Sequence, residues 1–100
     1  MKIKWLIGAI VHHRQYDYRG VIVSFDSHCR ADDLWYQGNR TQPSRDQPWY
    51  HVLVDHSGST TYVAEENLEQ AITLDPIEHP LLSHFFSAYY RGRYYYHVLN

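Results

Sequence analysis

Four cations near the start of the chain, Lys2, Lys4, Arg14 and Arg19, are interleaved with His13, Tyr16 and Tyr18. Ammonium and guanidinium groups neutralise phosphates, and aromatic rings stack on bases or pack against sugars, so this combination is a candidate DNA contact. Tyr16 and Tyr18 stand two residues apart and would face one side of an extended segment. The plain alternative is a solvated hairpin rim whose charge serves solubility. With few phosphates neutralised, binding would be modest and salt-sensitive, because each contact releases about one counterion.

Pro48-Trp49-Tyr50-His51 is the second distinctive cluster. On a strand, alternation puts Trp49, His51 and Leu53 on one face and Tyr50, Val52 and Val54 on the other, and one of those faces must be core. Outward aromatics there, Trp49 or Tyr50, would make a peptide- or base-binding shelf; ordinary sheet packing is the alternative. Glu65, Glu66 and Glu69 follow on a short turn. Such acids are usually a solvated face or a complement to a helix dipole, and otherwise a docking surface for a basic partner protein.

Nothing in the sequence asks for a catalytic residue, a cofactor or a metal. The eight histidines include no His-x-x-x-His helix pair, and no Cys-x-x-Cys knuckle is present. His28 and Cys29 are sequence neighbours, which does not make a nucleophile and its base. A phosphate-cradling glycine loop and a nucleophile elbow are both missing. The chain reads as non-enzymatic.

Which elements would hold these residues? One hundred residues suffice for one domain and one core. Apolar residues make up 44% and aromatics 16%, which excludes a disordered chain, and ten tyrosines with three tryptophans lean toward strands. Residues 7–11 and 20–25 read as two antiparallel strands joined by a polar, aromatic connection. Residues 26–48 read as a long loop tethered by Leu34-Trp35-Tyr36. Residues 49–55 and 60–64 form a hairpin over Ser57-Gly58-Ser59, and one helical turn follows at 65–68. Leu81, Leu82, Phe85, Phe86 and Tyr89 fall at helical spacing, so a helix is expected over 81–90 with Gly92 as its stop. Residues 93–98 are extended by propensity. The expected architecture is mainly β, a small curled sheet or barrel of about five strands with one C-terminal helix.

Formal net charge is −2, the wrong sign for bulk attraction to nucleic acid, but its distribution is two-sided. Residues 1–30 hold five cations against Asp17 and Asp26, whereas residues 50–80 hold six carboxylates and neither lysine nor arginine. A single cysteine forms no internal disulfide, so a reducing cytoplasm is expected, with nucleoid association as a variant of it. The apolar stretch 5–11 runs into His12-His13-Arg14 without a small-residue cleavage site, and no run approaches the roughly 20 residues of a membrane span. Neither export nor a membrane is expected. Tyr94-Tyr95-Tyr96 is suitable interface material, which leaves self-association into a homo-oligomer open.

Three blocks carry a resemblance: Ile7-Gly-Ala-Ile-Val-His-His13 with Tyr18-Arg-Gly-Val-Ile22, Gln47-Pro-Trp-Tyr-His-Val-Leu-Val-Asp55, and Tyr62-Val-Ala-Glu-Glu-Asn-Leu-Glu69. Together they resemble the hemimethylated-DNA-binding, YccV-like (HspQ-type) family over residues 5–70, and the tail from Phe85 to Tyr94 is similar to longer members. The middle loop follows no pattern of the family. The resemblance implies an SH3-like barrel and binding of hemimethylated duplex DNA. For the heat-shock members it implies a stress-response, quality-control role as adaptor or specificity factor for an ATP-dependent protease or its substrates. On this reading residues 1–100 are one domain, with its core in 5–70 and a C-terminal helix and tail in 79–100.

Overall fold

The β-branched residues Val21, Ile22 and Val23 lie within the longest strand, where their stiff side chains fit a pleated surface. The computed structural model describes residues 2–96. β1 (Ile10–His13), β2 (Arg19–Asp26), β3 (Trp49–Val54), β4 (Thr60–Ala64) and β5 (Leu68–Gln70) form one sheet in the order β4-β3-β2-β1-β5, every neighbouring pair antiparallel. A second, two-stranded sheet is the hairpin of β6 (Phe86–Tyr90) and β7 (Arg93–Tyr96). Two one-turn helices, α1 (Asp33–Gln37) and α2 (Leu82–Phe85), and a 3-10 turn (Glu65–Asn67) complete the described chain.

Both faces of the large sheet are buried, which explains why β3 is apolar almost throughout. On the concave face Val11, Ile22, Tyr50, Val52, Val63 and Leu68 make one cluster drawn from all five strands. A flat sheet would hold β4 and β5 about 19 Å apart at the usual strand spacing, so this cluster requires curling, and the bulge between Ile22 and Ser24 assists it. On the other face Ile10, Val21 and Leu53 pack under Ala71, Ile77, Phe86 and Tyr94. Trp49 and Ala64, with Cys29, are covered by the loop that carries α1.

The mainly β class is as expected, and three details differ. The strands among the described residues number seven rather than about five, because β5 and β6 were not foreseen. No ladder among the described residues joins β4 to β5, so the sheet stays open where a barrel was expected; three-residue β5 is engaged by β1 and leaves the far edge of β4 uncovered. The C-terminal helix expected over 81–90 lasts one turn. Arg91 and Gly92 both take positive φ, at 50° and 81°, the geometry of a two-residue hairpin turn, and Gly92 therefore corners a hairpin instead of stopping a helix. Cross-strand contacts of Phe86 and Tyr89 with Tyr94, at 5.3 and 5.0 Å between ring centroids, reward the strand over the helix. Of the extended segment 93–98, residues 97 and 98 lie outside the described residues.

The middle loop is partly ordered around Trp35, as expected. Asp32 caps α1 by accepting from the Trp35 N–H at 2.8 Å. Arg45 stacks on Tyr36, 4.9 Å from its ring centroid, and donates to Asp33 and to the Ala31 carbonyl.

Candidate nucleic-acid interface

The turn between β1 and β2 holds three of the seven expected DNA contacts, Arg14, Tyr16 and Tyr18, with His13 and Arg19 at the strand ends that flank it, and the structure divides these five. His13 is buried, and its Nδ1 accepts from the backbone N–H groups of Gln15 and Tyr16 at 3.1 and 3.0 Å, which folds the turn back on itself. Burial pushes its pKa below the ordinary 6.5, in keeping with a neutral acceptor. Tyr16 and Tyr18 both pack on the His13 ring, at 4.6 and 5.2 Å, so they do share a side. Tyr18 is bonded to the Thr61 hydroxyl at 2.7 Å, while Tyr16 is 46% exposed.

The cations divide in the same way. Arg14 is half-exposed and pairs with Glu69 at 3.3 Å. Arg19 turns inward: its guanidinium donates to Asp55 at 2.9 Å and to the carbonyls of Thr73, Asp75 and Pro76 at 2.9, 3.0 and 3.3 Å. It therefore ties the sheet to the segment after β5 and has little left for a phosphate. Lys2 and Lys4 are exposed and make no ion pair among the described residues, although the Lys4 ammonium lies over Trp5 and its backbone N–H donates to Glu65 at 3.1 Å.

The expected protein-docking residues are mostly structural. Trp49 and Tyr50 are in the core. The Tyr50 hydroxyl donates to Glu65 at 2.6 Å and accepts from the Trp5 N–H at 3.2 Å, and its pKa is pushed up to about 12 by burial and then by the Glu65 carboxylate. Glu66 exchanges hydrogen bonds with the Gln47 side chain at 2.9 and 3.0 Å. Glu69 is shared between Arg14 and His12.

His12 bridges Asp17 at 2.6 Å and Glu69 at 2.8 Å, and above all the bond to Asp17 raises its pKa above 6.5. A raised folded value means that the stabilisation is complete below the unfolded value and is lost as pH climbs through the folded one. His13, lowered by burial, works the other way and loses stability as pH falls. His12→Gln should therefore remove stability at about pH 6 and little at about pH 8. Urea midpoints of both proteins across that range check it, and an equal loss at both ends would refute it.

Two further cations, not expected as contacts, stand at the C-terminal hairpin, Arg91 exposed and Arg93 half-buried. Arg91 and Arg93 flank the turn of the β6–β7 hairpin, and their guanidinium carbons lie 5.1 and 5.3 Å from the ring centroids of Tyr90 and Tyr95. Tyr90, Tyr95 and Tyr96 are 59%, 42% and 60% exposed. No carboxylate occurs from residue 79 to residue 96. Neither arginine makes an ion pair among the described residues, although the Arg93 Nε is buried and its other end donates to the Ile7 carbonyl at 3.4 Å. The signal was present as Tyr-Tyr-Arg-Gly-Arg-Tyr-Tyr-Tyr, the same interleaving of cations and rings that marks the N-terminal turn.

This hairpin is fixed beside the N-terminal segment. Tyr94 N–H donates to the Gly8 carbonyl at 3.0 Å, and Ala9 bridges Arg93. No described cluster of histidine, cysteine and carboxylates is arranged to hold a metal ion, and no described helix is long and apolar enough to cross a membrane.

The sequence profile described as "Hemimethylated DNA-binding protein YccV like" matches residues 3–93, nearly the whole described chain. The chain belongs to the YccV-like family. That family is one of DNA-binding domains and not of enzymes. The YccV-like stretch is also similar to F-box only protein 21: 35% identical over 86 residues to the Homo sapiens and Pongo abelii proteins, and 34% to that of Mus musculus. The aligned stretch covers 83% of this chain and 14% of each relative, so the chain spans a small part of those proteins' length. The match takes in the three blocks of the sequence and runs on through β6 to Arg93, the first residue of β7.

Proposed function

We propose that this protein binds duplex DNA through the tip of the β6–β7 hairpin and the exposed cations of the N-terminal segment, and that hemimethylated duplex is its preferred form. The observation that carries the contact surface is a two-residue turn of Arg91 and Gly92, backed by Arg93 and exposed tyrosines, in a stretch without a carboxylate. Guanidinium groups there meet phosphate without first leaving a carboxylate partner. Preference for hemimethylated duplex rests on the family alone. A cytoplasmic or nucleoid setting accords with it, and so does an open SH3-like barrel, which the order β4-β3-β2-β1-β5 with a 3-10 turn between its edge strands supports.

Arg91→Asn keeps a residue tolerant of positive φ and removes the charge. Combined with Lys2→Gln and Lys4→Gln, it should cut affinity for duplex at least about tenfold at low salt and lower the salt-dependence slope by about 2 to 3. The titration uses unmethylated, hemimethylated and fully methylated duplex at two salt concentrations. Equal affinity for all three would end the methylation preference, and an unchanged slope in the triple variant would end the assignment of the surface.

A second reading, a quality-control adaptor that binds a protease or its clients, is favoured by one observation. A groove of about 640 Å³ lies beside β4 with Trp35 40% exposed in its wall, a surface the DNA reading does not use.

A further inference from the structure

Among the described residues β4 is an edge strand whose outer backbone has no strand partner. Val54 N–H donates to the Ser59 carbonyl at 3.1 Å, and Glu65 N–H to the Pro48 carbonyl at 2.9 Å. In an antiparallel ladder the bonded pairs alternate, so Thr61 and Val63 turn their backbone groups toward β3 while Thr60 and Tyr62 turn theirs away. The groove runs along this stretch, with Thr60 to Val63 in its floor. Tyr16 and Tyr18 line one side; Asp26, Asp32 and Trp35, with Arg30, line another.

We propose that this groove takes an extended peptide of a partner protein as an added strand on β4, with a lysine or arginine of that peptide set against Asp26, Asp32 and the ring of Trp35. Thr60 and Tyr62 offer two N–H donors and two carbonyl acceptors, the pattern an incoming strand completes. Asp26 and Asp32 against Arg30, which lies 3.9 Å from Asp26, leave the lining one charge negative with its histidines neutral, and the exposed Trp35 ring adds attraction for a cation. Tyr62 is held as a wall. Its hydroxyl donates to Asp26 at 2.6 Å and its ring lies 5.7 Å from that of Trp35. The same negative lining repels phosphate, which separates this site from the Arg91 hairpin. The proposal rests on the partner-binding reading and narrows it to one strand edge and one peptide chemistry.

The probe is a fluorescein-labelled peptide of alternating valine and arginine, about six residues long, followed by anisotropy and by backbone amide shifts. Comparators are the same peptide N-methylated at alternate amides, its glutamate counterpart, and an oligonucleotide competitor. Thr60→Pro removes one outward N–H at an exposed edge position where proline is tolerated. N-methylation and Thr60→Pro should each weaken binding at least about tenfold with the melting temperature unchanged, and the glutamate peptide should bind more weakly than the arginine one. Amide shifts should centre on Thr60 and Tyr62. Insensitivity to N-methylation, shifts centred on the β6–β7 hairpin, displacement by the oligonucleotide, or pairing of β4 with a second copy would each overturn the proposal. Binding of a reduced, carboxymethylated unfolded protein that Thr60→Pro leaves intact would overturn the added-strand mode and leave the partner-binding reading standing.

Discussion

Arg19→Ala should destabilise the fold by about 3 kcal/mol, a drop of roughly 10 to 20 °C in melting temperature for a domain of this size. Among the described residues the guanidinium is the one side-chain donor within 3 Å of Asp55, and three carbonyls of the segment after β5 depend on it as well. The Asp55 side chain is 7% exposed. Burial works against its charge, but the Glu78 N–H and then Arg19 overcome that and hold its pKa below the ordinary 3.8. Removing the arginine leaves a buried carboxylate with half its partners. A depressed carboxyl pKa gives stability that is present above the unfolded value and lost as pH falls, so the gap between wild type and variant should narrow below about pH 4. Thermal melts at neutral and acid pH measure both parts, and a loss of under about 1 kcal/mol at neutral pH would refute this role. The result also bears on DNA: weakened retention by an Arg19 variant reports unfolding and not a lost phosphate contact.

Gly8→Ala should be nearly as damaging, about 3 kcal/mol, by a different route. Gly8 sits at φ 94°, where a side chain is strained, and an added Cβ would lie 2.0 Å from the Tyr94 carbonyl oxygen. That oxygen belongs to backbone and has no rotamer to change. The Tyr94 N–H to Gly8 carbonyl bond and the Ala9–Arg93 bridge must open, and the β6–β7 hairpin then lifts from Ile10, Val21 and Leu53. Amide exchange should accelerate in β6 and β7 ahead of β2 and β3, and duplex affinity should fall with it although no cation is touched. Uniform exchange across both sheets would contradict this picture.

The β3–β4 hairpin was legible because its alternation and its Ser-Gly-Ser turn agree. The tail was not. Residues 81–89 show helical spacing, and the competing signal, two positive-φ residues at Arg91 and Gly92 that close a hairpin, is carried by one glycine and one arginine that no propensity singles out. Strand β5 is three residues long and follows an acidic 3-10 turn, too short for periodicity to register. At the candidate site, charge and residue type picked out Arg14, Arg19 and Glu65 but could not say which were already spoken for: Arg19 and Glu65 serve distant backbone 54 to 61 residues away in sequence. Trp49 and Tyr50 drew notice as aromatics on a strand and are core because the sheet is covered on both sides, which the expectation of one buried face did not allow.

Those two coverings have a consequence for how the molecule meets anything else. With its broad surfaces spent on its own interior, what is left for recognition is the perimeter: a hairpin corner at one place, an unpaired strand margin at another. Contacts made at a rim are narrow and directional, so two dissimilar partners could be held at once without competing for the same ground.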